Sequence, residues 1–333
     1  MRILVLGGTV FVSRTVAAEA VRRGHEVVCA ARGVSGSVPE GARWVRVDRD
    51  APDAYAPLAG ERFDAVVDVA TMSYRWVSEA VDALADRAGH WTFVSSVSAY
   101  ADASRVGLSV DAPLHEPLTE EVPVERRLTE PELYGRVKVA SENAVRDRLG
   151  DRAFVVRPGL ITGPGDGYDR FGYWPARMSR GGRVVVPDVP DQPTQHVDVR
   201  DLADWIVDAA EGRLVGTFDG IGPARPLPEL LGEIAELVAP DDVELVPVSP
   251  EKLAEAGVQP WSGPRSLPLW LPREMYGMTA HDAGPALAAG LRPRPLADTV
   301  AAALEDERAL GWDRPRKAGL TVAEENEILS ALD

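Results

Sequence analysis

Tyr134 and Lys138 stand four residues apart in Tyr134-Gly135-Arg136-Val137-Lys138, a spacing that brings a phenol and an ammonium onto one face of a helix. A phenol titrates at about pH 10, too high for a base at neutral pH, and a neighbouring cation favours its ionised form. The chain has only three lysines, Lys138, Lys252 and Lys317, in a sequence otherwise dominated by arginine. At position 138 a lysine offers a compact cation that can also hydrogen-bond a cofactor ribose, where a guanidinium fork would have a different geometry. A group of hydroxyls, Ser95, Ser96 and Ser98, follows the apolar run Trp91-Thr92-Phe93-Val94 and could orient a substrate carbonyl or alcohol. The same residues also fit a surface pair and ordinary turn serines.

The elements that would position these groups alternate regularly. Ile3–Leu6 is an apolar strand ending in Gly7-Gly8, and a helix over Arg14–Arg23 is closed by Gly24. Further strands are expected at Val27–Ala31, Arg43–Val47, Ala65–Val69, Trp91–Val94 and Ala153–Val156. Helices are expected around Trp76–Leu84 and from Pro131 through Leu149. Apolar runs of this kind mark strands buried on both faces, hence an α/β, Rossmann-like doubly wound parallel sheet. Residues 1–160 are expected to form the dinucleotide-binding domain, with later segments returning to it. Residues 161–333 are expected to form mainly a smaller substrate-binding lobe and C-terminal helices. Ala101–Pro131 is acidic and aperiodic, long enough for a lid or site border, and Thr321 with Glu324 announces a capping box near the C-terminus.

The turn Gly7-Gly8-Thr9-Val10-Phe11-Val12-Ser13 lies where backbone amides and a helix N-terminus can hold a pyrophosphate. Gly7, Gly8, Thr9, Phe11 and Val12 are therefore candidate cofactor-binding residues. Val10 and Ser13 occupy positions where such turns carry glycine. After the second strand the chain has Ala31-Arg32-Gly33 instead of the carboxylate that holds the NAD ribose, and Arg32 can pair with a 2′-phosphate. NADP(H) is thus favoured over NAD(H). Asp48, closing the third strand, could accept from the adenine edge, and Ala70 offers a small side chain beside the cofactor.

At 333 residues and a formal charge of −16, the chain is large enough for a substantial core and too acidic for nucleic acid to be its main partner. A neutral or positive partner is more plausible on this balance. The single cysteine, Cys29, forms no intrachain disulfide, the histidines are scattered without a metal constellation, and no run of about 18 apolar residues suggests a membrane span. A cytoplasmic protein acting on a small molecule, without a metal, is the expectation. Tyr168 to Trp174 could build an aromatic substrate wall, with Trp261 and Trp270 packing the second lobe, and His196 fits a structural role.

Residues 2 to about 220 resemble the extended short-chain dehydrogenase/reductase family, close to its epimerase/dehydratase-like and atypical reductase branches. The Tyr134–Lys138 segment is the specific part. The resemblance implies NAD(P) binding and a Ser-Tyr-Lys catalytic set. Counting back from Tyr100, it puts the catalytic hydroxyl on Ser96, with Ser95 beside the cofactor and Ser98 as the alternative. Arg157-Pro158-Gly159 through Gly165 is similar to the segment lining the nicotinamide side, which adds Pro158 to the cofactor residues. Thr194 stands where nucleotide-sugar enzymes of the family carry an arginine before Val197–Ala203, which speaks against a nucleoside-diphosphate sugar, although Arg170, Arg177, Arg180 and Arg183 could still build a phosphate pocket. The implied function is an NAD(P)-dependent oxidoreductase reducing a carbonyl or oxidising an alcohol of a small metabolite. The alternatives are a nucleotide-sugar epimerase/dehydratase and a non-catalytic NAD(P)-sensing protein. A homodimer is also implied.

Overall fold

The structure, a computed structural model, describes residues 1–123, 125–126 and 130–332. Seven strands make one sheet: β1 (Arg2–Leu6), β2 (Glu26–Ala31), β3 (Arg43–Arg46), β4 (Ala65–Asp68), β5 (Trp91–Val94), β6 (Ala153–Pro158) and β7 (Gly216–Gly220). Their order is β7-β6-β5-β4-β1-β2-β3, and every neighbouring pair is parallel. The order reverses between β1 and β4, which opens a crevice at the carboxyl ends of the strands, the general ligand position in such sheets.

The apolar runs are buried on both faces because alternate side chains enter different cores. Leu4 and Leu6 of β1 pack with Val77, Val81 and Leu84 of helix α2 (Tyr74–Leu84). Ile3 and Val5 pack on the other face with Val16 and Ala20 of α1 (Phe11–Arg22). Helix α3 (Glu132–Leu149) lies beside α2 and carries the Tyr-Lys segment. A helix over Val199–Gly212 returns to the face covered by α1, and its Trp205 meets Phe154 edge-on with ring centroids 5.1 Å apart. Together with β7, it brings residues from beyond 161 back onto the main sheet.

A separate apolar core gathers Phe171, Trp174 and Met178 of α4 (Arg170–Met178) with Leu230 and Ile234 of the helix Leu227–Val238. Near the C-terminus, Thr321 and Glu324 form the reciprocal capping box expected from the sequence. Among the described residues no helix is long and apolar enough to cross a membrane.

Candidate active site

Two adjoining cavities, of about 600 and 180 Å³, share Val10, Ser13, Val69 and Thr71 in their walls. Both lie beside the β1–α1 turn. Gly7 and Gly8 adopt φ of +131° and +93°, a backbone that L side chains rarely enter. A Cβ on Gly8 would sit 2.4 Å from the Cys29 sulfur, so this glycine lets the turn pack directly on β2. Val10 ends the turn as an uncapped N-cap, and no acidic residue occupies the first turn of α1. The amide donors and the positive helix end are therefore free to meet an anion. Ser13, in place of a glycine, turns its hydroxyl into the Val10 carbonyl at 2.8 Å and so fits without an unpaired group.

The smaller cavity is lined by Gly7, Thr9, Arg32 and Ala70, and the larger by Phe11, Val12, Ser95, Ser96, Tyr134, Lys138 and Pro158. Two of the expected residues line neither. Gly8 faces Cys29, and Asp48 is exposed, with one carboxylate oxygen bound to the Asp50 amide at 3.1 Å. Neighbouring Arg49 takes the wall position instead. It is buried, forms two 2.8 Å hydrogen bonds with Asp68 and reaches the Trp76 carbonyl. Its place could not be read from spacing because its partner ends β4, which lies beyond β2 and β1 from β3 in the sheet.

At the carboxyl end of β5, Ser96 caps the short turn Val97–Ala99, accepting from the Ser98 amide and donating to the Ser98 hydroxyl, each at 3.1 Å. Its hydroxyl also faces the Tyr134 phenol and favours the phenolate, as does the Arg170 charge. Burial outweighs both and pushes the phenol up to about 12. Lys138 is buried, its Nζ 5.6 Å from the Tyr134 ring centroid. It donates to the carbonyls of Ala70 at 2.6 Å, just beyond β4, and of Val94 at 2.7 Å, the last residue of β5 before Ser95 and Ser96. Burial lowers this ammonium to about 7 against the opposing pull of Asp68 and Glu142. Tyr134 and Lys138 are thus an inward pair, and the surface alternative is excluded.

Gly135 explains how the helix comes so close. A Cβ there would lie 1.9 Å from the Ser98 carbonyl oxygen and 2.9 Å from the His115 ring. Alanine is preferred to glycine inside a helix by about 1 kcal/mol. Gly135→Ala should nonetheless destabilise the protein by about 1–3 kcal/mol and lower activity, because α3 must retreat from Ser96. Thermal unfolding and steady-state rates check this, and an equally stable, equally active variant would contradict it.

Behind the cavity runs a buried chain of charges. The Ser95 hydroxyl donates to Glu142, and Arg157 clasps the same carboxylate through Nε at 2.9 Å and Nη2 at 2.7 Å. Arg157 also donates to the Tyr100 hydroxyl at 3.0 Å, and that hydroxyl donates to Asp219 at 2.7 Å. Ser95 therefore lines the cavity with its hydroxyl committed to Glu142.

The far wall comes from residues distant in sequence: Tyr168, Arg170, Trp261, Met278 and Thr279. Of the aromatic cluster, Tyr168 reaches the cavity, whereas Phe171, Tyr173 and Trp174 are core residues. Trp261 packs against the second lobe's core, as expected, and also stands in the cavity wall; Trp270 is in that core. No described residue of 101–131 lines either cavity. The segment is tied down instead, Leu108 bridging His281 and Val122 packing on Leu133 and Val137, while its residues 124 and 127–129 lie outside the described set. His196 packs its ring 5.5 Å from Phe171, and burial lowers it to about 4. Among the described residues, no group of three or more His, Cys, Asp or Glu is placed to hold a metal ion.

Residues 3–215 match the model of the NAD dependent epimerase/dehydratase family. Over 199 residues the chain is 33% identical to 2'-dehydrokanamycin reductase of Streptomyces kanamyceticus, covering 56% of this chain and 52% of that protein. The chain thus spans about half the length of this curated relative. Its fold resembles UDP-N-acetylglucosamine 4-epimerase from Bacillus cereus, with TM-score 0.67 and 16% identity, over 95% of this chain and 99% of that one. It also resembles the Bordetella bronchiseptica enzyme WbmH in complex with NAD+, with TM-score 0.66 and 17% identity, over 93% and 99% of the two chains.

Proposed function

The chain belongs to the NAD dependent epimerase/dehydratase family, and from that premise we propose that it is an NAD(P)-dependent oxidoreductase reducing a carbonyl, or oxidising an alcohol, of a small organic molecule. One observation carries the proposal: Ser96, Tyr134 and Lys138 line a single cavity that opens onto the uncapped N-terminus of α1. The residues fit a dinucleotide, with the free amides of α1 for the pyrophosphate, Lys138 for a ribose, and Pro158 and Val12 in the catalytic wall. When bound, the nicotinamide supplies or accepts a hydride.

The protein's own residues handle the proton. In the reducing direction Tyr134, kept protonated by a phenol value pushed up to about 12, donates to the substrate oxygen while Ser96 holds that oxygen in line. Lys138, poised at about 7, exchanges between amine and ammonium near neutrality, and its charged form stabilises the phenolate left behind. In the oxidising direction the same phenolate takes the proton.

The 33% identity to a reductase supports net reduction. Thr194, buried and paired across a short ladder with Arg225, leaves no arginine at that position for a sugar diphosphate. A cytoplasmic setting suits the lone, buried Cys29, and a homodimer is the expected assembly.

The cofactor proposal is NADP(H) over NAD(H). Arg32 is exposed on the rim of the smaller cavity beside Gly33 and Val34, where a guanidinium can grip a 2′-phosphate in a charge-assisted, bidentate fashion. Arg32→Asp should weaken NADP(H) by at least about tenfold and leave NAD(H) little changed or tighter, as read by calorimetric titration at fixed salt. Tighter NAD(H) binding by the wild-type protein would reverse the assignment.

A further inference from the structure

The larger cavity has an electrostatic character opposite to that of the chain. The protein carries 52 acidic against 36 basic residues, yet among the described residues the only charged side chains in this wall are Lys138 and Arg170, with no carboxylate. Lys138 is engaged by two carbonyls and belongs to the Tyr134 machinery. Arg170 is left over.

Arg170 begins α4 and stands in the same wall as Tyr168 and Trp261. Its guanidinium lies 5.1 Å from the Tyr168 ring centroid and 5.3 Å from that of Trp261. It has no ion pair among the described residues, and its Nε is buried without a hydrogen-bond partner. Burying an arginine without a carboxylate is costly unless a ligand supplies the missing charge. Asp166 attracts Arg170 electrostatically and bonds its backbone amide but forms no ion pair with the guanidinium among the described residues: one carboxylate oxygen takes the Tyr168 amide at 3.0 Å. Burial raises the Asp166 carboxyl, while the Arg170 charge and backbone amides oppose that shift. A second cation, Lys317, sits 5.4 Å from the centroid of the Tyr168 ring. The aromatic rings hold the arginine's orientation, which leaves N–H donors for a planar or tetrahedral anion.

We propose that Arg170 is a specificity residue that binds an anionic oxygen group, carboxylate or phosphate, carried by the substrate close to the carbon that reacts beside Tyr134. The proposal rests on the oxidoreductase reading of the same cavity and narrows its substrate to acidic carbonyl compounds or alcohols. It runs against the neutral or cationic partner expected from the overall charge.

The test measures binding rather than turnover, so it separates this claim from the reaction. Tryptophan fluorescence of the protein saturated with NADPH is titrated with 2-oxobutanoate, with its uncharged amide and with inorganic phosphate; a Trp261→Phe variant supplies the background. The acid or phosphate should give a saturable change, and the amide should bind at least about tenfold more weakly. Arg170→Met should lose acid and phosphate binding by at least about tenfold with unchanged NADPH affinity, whereas Tyr134→Phe should retain both. Arg170→Lys should recover part of the anion binding. Equal binding of acid and amide, wild-type anion affinity in Arg170→Met, or no anion binding by the wild type would each overturn the proposal. Loss of NADPH affinity in Arg170→Met would also overturn it, by assigning the arginine to a cofactor phosphate. If NADPH itself fails to bind, the oxidoreductase reading falls, and the same titration without cofactor still decides the role of Arg170.

Discussion

Tyr134→Phe is expected to lower turnover by about 10²–10⁴-fold while the protein stays folded and keeps its affinity for the cofactor. The substitution removes one oxygen from a residue whose ring is held by α3, so the cavity keeps its shape while the proton donor disappears. The phenol is buried and pushed up to about 12, which keeps the proton on Tyr134 across the neutral range until the substrate oxygen needs it. Ser96→Ala should cost less, because in the proposed mechanism Ser96 orients the substrate oxygen and does not carry the proton. Lys138 adds a pH signature. Its folded value of about 7 lies below the ordinary 10.5, so the unfolded chain binds the extra proton between those limits. Its contribution to stability therefore rises with pH from about 7 to 10.5, and Lys138→Met should flatten that part of the stability profile. Steady-state rates, cofactor titration and unfolding at several pH values measure all three effects.

Glu142→Leu is expected to destabilise the protein by about 3–5 kcal/mol, because it strands the buried Arg157 charge. Glu142 and Arg157 are both essentially inaccessible, and their two hydrogen bonds replace the water each lost. Removing both partners should cost much less than the two single changes added together, since a buried pair is often nearly neutral against an apolar replacement of similar volume. Chemical denaturation of Glu142→Leu, Arg157→Leu and the double variant closes the cycle, and additive effects would contradict the pairing. Burial opposes the Glu142 charge, but Arg157 outweighs it and holds the carboxyl below the ordinary 4.5. Its stabilising contribution is therefore present above that value and is lost as the pH falls through the lower, folded one.

The sheet was legible because β1, β2, β4, β5 and β6 are short apolar runs ending where ligand residues begin. The Tyr134–Lys138 pair was legible because a helix makes residues four apart neighbours. Gly135 stood between them in plain view, but its role depends on how closely α3 approaches Ser98. Arg49 was missed for a related reason, since only the pairing of β1 with both β2 and β4 brings it to Asp68. The far wall was only partly visible. Tyr168 announced itself by aromatic density, but Met278 and Thr279 come from a short helical turn with no period to read. Net charge says little about the cavity itself, whose charged wall residues among those described are two cations, Lys138 and Arg170.

Hydride chemistry in this cavity, with Tyr134 as the proposed proton donor, is open to a labelling experiment. The most direct test incubates the protein with reduced cofactor deuterated at the transferring carbon and a panel of acidic and neutral carbonyl compounds, and follows label by mass spectrometry. The account predicts deuterium at the new carbinol carbon of at least one acidic compound with the wild-type protein, and loss of nearly all of it with Tyr134→Phe. Label transfer that proceeds unchanged in Tyr134→Phe, or a wild-type protein that binds the cofactor and transfers no label to any member of the panel, would contradict it.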